Sequence, residues 1–138
     1  MFQNIMLAAD GSAHAVRAAE YARSLAEKFG GRIDVCYVVD GEHAKADVLH
    51  HNDPFEIESA RKEKIRQVRE QFESADFPYE LHILHGEPGP TIVQFANSKQ
   101  YDCVIVGSRG LNKLQTFILG SVSHKIAKRV NCPVLIVK

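Results

Sequence analysis

Two groups of small and polar residues, far apart in the chain, have the types and spacing of an anion-binding site. In the segment 102–123 an apolar run ends at Gly107, a loop contains Gly110, and Gly120-Ser121 opens a predicted helix. Backbone N–H groups near such glycines can point at an anion, and a helix N-terminus favours negative charge. The spacing predicts an anion-binding strand–loop–helix unit.

The glycine segment differs from the two common phosphate-binding motifs. The sequence contains no G-x-x-x-x-G-K-[ST], and no G-x-G-x-x-G follows its first strand. Instead, the pattern is Gly107-x2-Gly110-x9-Gly120-Ser121, directly after a strand that is predicted to be buried. The alternative, that these glycines serve only as turns, stays open at this point.

The second group is Asp10-Gly11-Ser12, directly after the apolar run 5–9. Ser12 is expected to cap the helix that follows, because a serine at this position accepts a hydrogen bond from a first-turn N–H. Asp10 can contact a ligand or serve only as a turn residue.

The elements that must position these groups alternate between strand and helix. Apolar runs predict strands at 5–9, 33–39, 79–83, 103–106 and 133–137, and helices are predicted after Ser12, over 55–75, after Pro90 and after Gly120. This order predicts an α/β fold in one domain, residues 1–138, with a parallel sheet and helices on both faces. The strand at 79–83 alternates apolar and polar residues, as edge strands do. Residues 40–54 are predicted to form a long loop.

Composition excludes several classes of partner. Among 138 residues, Lys+Arg and Asp+Glu number 17 each, so there is no electrostatic footprint for nucleic acid or acidic membranes. We expect no membrane span and no signal peptide. The cysteines, Cys36, Cys103 and Cys132, are widely spaced in or beside apolar runs. They indicate buried thiols in a cytoplasmic protein rather than disulfides or a metal site.

The whole chain resembles the universal stress protein family. The resemblance is carried by Asp10-Gly11-Ser12, by Gly107-x2-Gly110-x9-Gly120-Ser121, and by the final segment 132–137, Cys-Pro-Val-Leu-Ile-Val. The glycines specifically resemble the family's ATP-binding branch. This resemblance implies a doubly wound, Rossmann-like sheet of five parallel strands in the order 3-2-1-4-5. In such a sheet, ligands lie where the order reverses, here between strands 1 and 4.

The resemblance also implies a nucleotide site for ATP or ADP with Mg²⁺. Glycine backbone would approach the phosphates, Ser121 and Ser123 would add hydroxyl donors, and Asp10 would act through ribose or Mg²⁺. Val38 would meet the adenine with its backbone, and Arg109 with Lys113 would neutralise phosphate charge. The predicted site comprises Ala8, Asp10, Val38, Val106, Gly107, Arg109, Gly110, Gly120, Ser121, Val122 and Ser123.

The histidines offer little for metal binding by spacing alone. His43, His50 and His51 lie irregularly in the predicted loop, which favours a solvated loop over a metal site. His82 and His85 are three apart on a strand, so they point to opposite faces and make a poor pair of ligands.

Three functions remain open on the sequence. The main hypothesis is an ATP-binding regulatory protein of the stress response, and the alternatives are a slow ATP hydrolase or phosphotransferase and a dimerisation module without nucleotide. No recognised catalytic set is present in the sequence. The strand 133–137 is apolar throughout and would lie at a sheet edge, so we expect it to pair with a second copy in a homodimer. Other protein partners are not identified.

Overall fold

The structure is a computed structural model that describes residues 1–109 and 119–138. It contains one parallel sheet whose strands lie in the order β3-β2-β1-β4-β5. The predicted α/β fold and strand order are therefore confirmed. The strands are β1 Asn4–Ala9, β2 Arg32–Val39, β3 Tyr79–His85, β4 Cys103–Gly107 and β5 Val134–Val137. The helices are α1 Ala13–Phe29, α2 Gly41–His50, α3 Pro54–Lys64, α4 Arg66–Glu73, α5 Pro88–Ser98 and α6 Ser121–Arg129.

The small side chains of α1 let this helix lie close to the sheet. Its buried residues are all alanines, at 15, 18, 19, 22 and 26. The hydroxyl of Ser12 accepts a hydrogen bond from the N–H of Ala15, as expected for a cap. At the other end, Gly30 adopts a left-handed conformation with φ of 67°, which a glycine reaches without a steric penalty.

The core lies on both faces of the sheet. Ile5, Leu7 and Ile105 pack on one face with α1 and α4, together with Phe72. Met6, Val104 and Ile126 pack on the opposite face with α5 and α6. Alternate residues of a strand point to opposite faces, so the continuous apolar runs of β1 and β4 supply both halves of the core.

Residues 40–54 contain a helix, so the predicted loop is wrong over most of its length. Helix α2 takes up Gly41–His50, and Asp53 caps α3 by accepting a hydrogen bond from the N–H of Phe55. Asp47 in α2 is 5% exposed and accepts hydrogen bonds from Arg61 and Lys64. These ion pairs, rather than an apolar stripe, join α2 to α3. The spacing of apolar residues therefore did not predict the helix.

The helix predicted over 55–75 is two helices, α3 and α4. They meet at Ile65, which has φ of −112° and ψ of 23° and is buried. The break lets both helices follow the sheet while Ile65 fills the core. Helix α5 also begins earlier than predicted, because Pro88 rather than Pro90 occupies its first position, after Glu87. Proline fits there because it lacks an N–H, and an N–H at the first helical position would have no partner within the helix.

The remaining predictions about the chain concern its edges and its thiols. Strand β3 is at one edge of the sheet and β5 at the other, as predicted.

All three cysteines are free, and Cys36 and Cys103 are buried, also as predicted. Burial raises the pKa of Cys103 to about 11, so its thiol stays protonated near neutral pH. None of the helices in the described ranges has the length and apolarity to cross a bilayer.

Candidate functional site

The candidate site lies where the strand order reverses, at the carboxyl ends of β1 and β4. These strands are neighbours, and Ala8 is in register with Val106. The turn after β1 and the loop after β4 therefore leave the sheet side by side. Two groups of residues that are almost 100 positions apart in the chain are brought to one crevice, which is where doubly wound sheets bind ligands.

Asp10 forms the turn that leads from β1 into α1. One carboxylate oxygen, Oδ1, accepts a hydrogen bond from the N–H of Ser12 at 2.8 Å. The side chain is only partly buried. This hydrogen bond orients the carboxylate, and a carboxylate has acceptor capacity on two oxygens, which suits contact with a cation or a hydroxyl group.

Gly107 ends β4 beneath the first turn of α1. A Cβ at this position would lie 2.7 Å from the Cβ of His14 and 2.9 Å from its carbonyl carbon. A glycine is therefore required for α1 to approach β4, whatever binds in the crevice. His14 also places Nε2 3.3 Å from a guanidinium nitrogen of Arg109. Our sequence reasoning did not single out His14, which shows no pattern beyond its place in the first turn after Ser12.

Three hydrogen bonds connect β4, β5 and α6 around the crevice. The N–H of Ser108 donates to the carbonyl of Val137 at 2.7 Å, and the N–H of Gly120 donates to the carbonyl of Ser108 at 2.8 Å. The hydroxyl of Ser123, a buried residue, donates to the carbonyl of Gly107 at 2.5 Å. These bonds hold the start of α6 against the end of β4.

Helix α6 begins without a side-chain cap from its own N-cap residue. Gly120 is its N-cap residue and offers no side-chain oxygen. The N–H groups of Ser121 and Val122 belong to the first turn, where a helix supplies no carbonyl partner. This end of α6 carries the partial positive charge that favours an anion. Gly110 and Lys113, also predicted for the site, lie outside the described residues.

The apolar residues predicted for the site lie on the α5–α6 side of the sheet. Ala8 and Val106 are buried there, and Val38 and Val122 are half-buried against the same cluster. The pairing of β1 with β2 ends at Ala9 and Tyr37, one residue before Val38.

The backbone of Val38 faces β1 beyond the end of this pairing. The carbonyl of Val39 accepts from the N–H of Gly86, on the β3 side. Since the backbone groups of successive residues point to opposite neighbours, the carbonyl of Val38 points to the β1 side, past the last β1 pair. This is the direction in which the predicted backbone contact with adenine requires it to point.

The hydroxyl of Tyr37, the residue before Val38 in β2, has a raised pKa. Burial raises the pKa of the Tyr37 hydroxyl, and the carboxylate of Asp47 raises it further, against the opposing effect of Arg61. Tyr37 therefore stays protonated and neutral beside the carboxylates of Asp10 and Asp40, which lie close enough to add to the same effect.

A groove of about 500 Å³ lies elsewhere, along β3, between α3, α4 and the edge strand. Its charged groups are paired with each other: Tyr79 donates to Glu73 at 2.7 Å, and Arg69 lies 3.3 Å from both residues. We place the candidate site at the β1–β4 crevice because the strand order reverses there and the N-terminus of α6 lies beside it. The groove is lined by Glu58, Lys62, Arg69, Glu73, Tyr79, Leu81 and Ile83.

The fold and this crevice define a doubly wound α/β protein of the kind that holds ligands at its topological switch point. The whole chain, residues 1–138, matches the model of the universal stress protein family, so the chain belongs to that family. The resemblance stated from the sequence is thereby confirmed.

Known relatives match over the full length. A universal stress protein of Thermus aquaticus is 36% identical, with 100% of both chains covered. The solved structure of the Methanocaldococcus jannaschii protein MJ0577 is 26% identical and has a TM-score of 0.82, with 100% of this chain and 96% of that chain covered. A universal stress protein of Archaeoglobus fulgidus, solved in complex with dAMP, is 23% identical with a TM-score of 0.68, over 99% of this chain and 98% of that one.

Proposed function

We propose that this protein binds an adenine nucleotide, ATP with Mg²⁺, in the β1–β4 crevice and acts as a regulatory protein of the stress response. The observation that carries the proposal is the convergence of three groups at one switch point. These are the carboxylate of Asp10, the guanidinium of Arg109, and the first-turn N–H groups of Ser121 and Val122. Together they suit a polyanion that also carries a divalent cation.

The hydrogen bonds of the structure divide the predicted residues into two roles. Ser123 and Gly120 use a donor within the protein, and Gly107 makes room for His14. These residues hold the crevice in shape. The direct phosphate contacts then fall to the first-turn N–H groups of α6 and the exposed hydroxyl of Ser121, while Arg109, which contacts His14, adds positive charge beside them.

Mg²⁺ fits beside Asp10. Its carboxylate is fixed by one hydrogen bond and keeps an oxygen for a cation. Mg²⁺ is usually bound by one or two carboxylates together with phosphate oxygens, so a single aspartate beside the phosphates meets this requirement. The adenine would lie toward Val38, whose carbonyl faces the crevice. The Archaeoglobus protein has the same fold and was solved with dAMP, an adenine nucleotide, which supports adenine as the base.

The test is calorimetric titration of the protein with ATP and Mg²⁺. Gly120→Val should abolish or strongly weaken binding, because branched carbons would crowd the start of α6 where the phosphates are placed. Gly41→Val is the matched control, since a Cβ at Gly41 meets nothing within 4 Å. Both variants must show an unchanged circular dichroism spectrum.

Two results would contradict this proposal. The first is absence of heat and of a thermal shift with ATP and Mg²⁺. The second is an affinity for ATP that Gly120→Val leaves unchanged. Mass analysis of small molecules released from the purified protein identifies the nucleotide independently. Release of ADP from bound ATP, abolished by Asp10→Ala, would favour the enzymatic alternative, a slow ATP hydrolase.

We also propose that the protein is a homodimer through β5. This strand is at the edge of the sheet, and Val134, Leu135 and Ile136 are only half-buried. The carbonyls of Pro133 and Val137 accept hydrogen bonds from Val104 in β4 and from Ser108 directly after it, so the backbone groups of Ile136 point away from β4, toward the open edge. Ile136→Pro should therefore convert a dimer to a monomer in sedimentation at micromolar concentration, and a monomeric unaltered protein would refute this proposal.

The cytoplasm is the compartment in which we propose that it acts. The three cysteines are free thiols, and thiols persist in the reducing cytoplasm rather than outside the cell. Detection of the protein in a cytoplasmic fraction after cell fractionation tests this point.

A further inference from the structure

Three potential metal ligands lie together on the α5–α6 side of the sheet, away from the crevice. Asp34 on β2 is in register with Glu80 on β3. His82 is two residues beyond Glu80, so both side chains point to the same face of β3. One carboxylate oxygen from each acid and one imidazole nitrogen lie within 4.8 Å of one another.

Only some of the buried polar atoms in this cluster have a hydrogen-bond partner. Asp34 is 8% exposed, and its Oδ2 accepts a hydrogen bond of 2.6 Å from the hydroxyl of Tyr101. The Nε2 of His82 is buried and has no hydrogen-bond partner in the described ranges. It lies 3.8 Å from Oδ2 of Asp34 and 3.9 Å from Oε2 of Glu80, beyond hydrogen-bond distance. A buried polar atom without a hydrogen-bond partner calls for a ligand such as water or an ion, and this nitrogen faces two carboxylates.

The surroundings hold the imidazole and the carboxylate in place. The ring of His82 packs against Phe95 with centroids 5.1 Å apart. The hydroxyl of Tyr101 holds the carboxylate of Asp34 through its hydrogen bond to Oδ2. A metal-bound carboxylate is commonly held by such an outer hydrogen bond.

We propose that Asp34, Glu80 and His82 bind a divalent transition metal ion, Zn²⁺ being the best fit. Zn²⁺ takes imidazole nitrogen and carboxylate oxygen, whereas Mg²⁺ and Ca²⁺ prefer oxygen alone. Tetrahedral ligands about 2.1 Å from Zn²⁺ are roughly 3.4 Å from each other. The Nε2 of His82, which lies 3.8 Å and 3.9 Å from the two carboxylate oxygens, would move closer to each by about half an ångström. Two carboxylates offset the charge of the ion, and water takes the fourth position.

This metal site is separate from the nucleotide crevice. Asp34 is four residues before Val38, which places the two about 13 Å apart along β2. Zn²⁺ would tie the edge strand β3 to β2 and, through Tyr101, to the segment that enters β4. Its expected effect is stabilisation of this edge, because an ion that binds only the folded chain raises the melting temperature.

The experiment is titration of the metal-free protein with Zn²⁺, with calorimetry and thermal melting as readouts. We expect one ion per chain and a melting temperature raised by roughly 8 °C when free Zn²⁺ is about 100 times Kd. Mg²⁺ should cause no comparable shift. Co²⁺ should give the visible absorption bands of a low-coordinate nitrogen and oxygen site.

The variants remove one ligand each. His82→Phe keeps a ring against Phe95 and should weaken Zn²⁺ binding by about 100-fold or more, and Glu80→Gln by about 10-fold. Glu80 is exposed, so Glu80→Gln tests the site even if His82→Phe folds poorly. His85→Gln, an exposed histidine at the end of the same strand, is the matched control and should leave the affinity unchanged.

Three outcomes would overturn the metal site. The first is the absence of saturable one-to-one Zn²⁺ binding. The second is affinity that both Glu80→Gln and His82→Phe leave unchanged. The third is binding lost with His50→Gln and His51→Gln instead, which would place the ion at the end of α2. The titration with ATP is a separate experiment at the crevice. Absence of ATP binding would therefore leave the conclusion about the metal site unchanged.

Discussion

Replacement of Gly107 by alanine separates the two reasons for a glycine at the end of β4. If the residue serves packing, Gly107→Ala destabilises the fold without ligand. If it serves only the approach of phosphate, stability is unchanged and affinity falls. The structure favours the first reason, because the added methyl group would lie within 3.0 Å of His14 Cβ and of its carbonyl carbon.

The size of the effect follows from the atoms that must move. A Cβ and a backbone carbon cannot rotate away as the end of a long side chain can, so the first turn of α1 must shift. Overpacking of this kind costs about 1–3 kcal/mol. For a domain of this length, such a loss lowers the melting temperature by roughly 3–10 °C.

Urea unfolding of Gly107→Ala, without nucleotide and with Gly41→Ala as the control, measures the cost. A Cβ at Gly41 meets nothing within 4 Å, so the control should stay within about 0.5 kcal/mol of the unaltered protein or gain slightly. An unchanged slope with a lower midpoint confirms a loss of stability. The reasoning fails if both variants unfold at the same midpoint as the unaltered protein.

The remaining predictions concern two buried polar residues. Ser123→Ala should cost about 1–2 kcal/mol in urea unfolding, because the carbonyl of Gly107 loses its donor, whereas the exposed Ser121→Ala should cost little. Burial raises the pKa of Asp47, but hydrogen bonds from Arg61 and Lys64 outweigh this and hold that pKa below its usual 3.8. Asp47→Asn should therefore cost about 1–2 kcal/mol near neutral pH. The difference should close only as pH falls below 3.8, when Asp47 itself is protonated; equal costs at pH 7 and pH 2 would contradict this.

Local pattern was sufficient where a residue's role depends on its neighbours in the chain. The alanines of α1 follow a helical period, and Ser12 precedes the helix that it caps. The continuous apolar runs of β1 and β4 indicate strands buried on both faces, and the polar alternation of β3 indicates an edge. With the family resemblance, this was enough to predict the strand order and the meeting of Asp10 with the glycine segment.

Tertiary structure decided whatever depends on contacts between distant residues. Helix α2 has no strong apolar period, and its anchor is the ion pair of Asp47 with Arg61, 14 positions away. The requirement for glycine at 107 depends on how closely α1 approaches β4, which spacing within one segment cannot reveal. The partner of Ser123 depends on where α6 begins relative to the sheet.

The cluster of Asp34, Glu80 and His82 shows the same limit most clearly. From the sequence, Glu80 and His82 share a strand face, but nothing identifies the residue beside them. Only the register of β2 on β3 places Asp34 there, and a shift of one residue would turn its side chain to the other face. With the family resemblance, the sequence therefore predicted the five strands, their order and the place of the candidate crevice, but it missed α2 and the break at Ile65. The three-dimensional packing decided the contacts between distant residues, such as Tyr101 with Asp34 and Ser123 with Gly107, because only the fold brings these partners together.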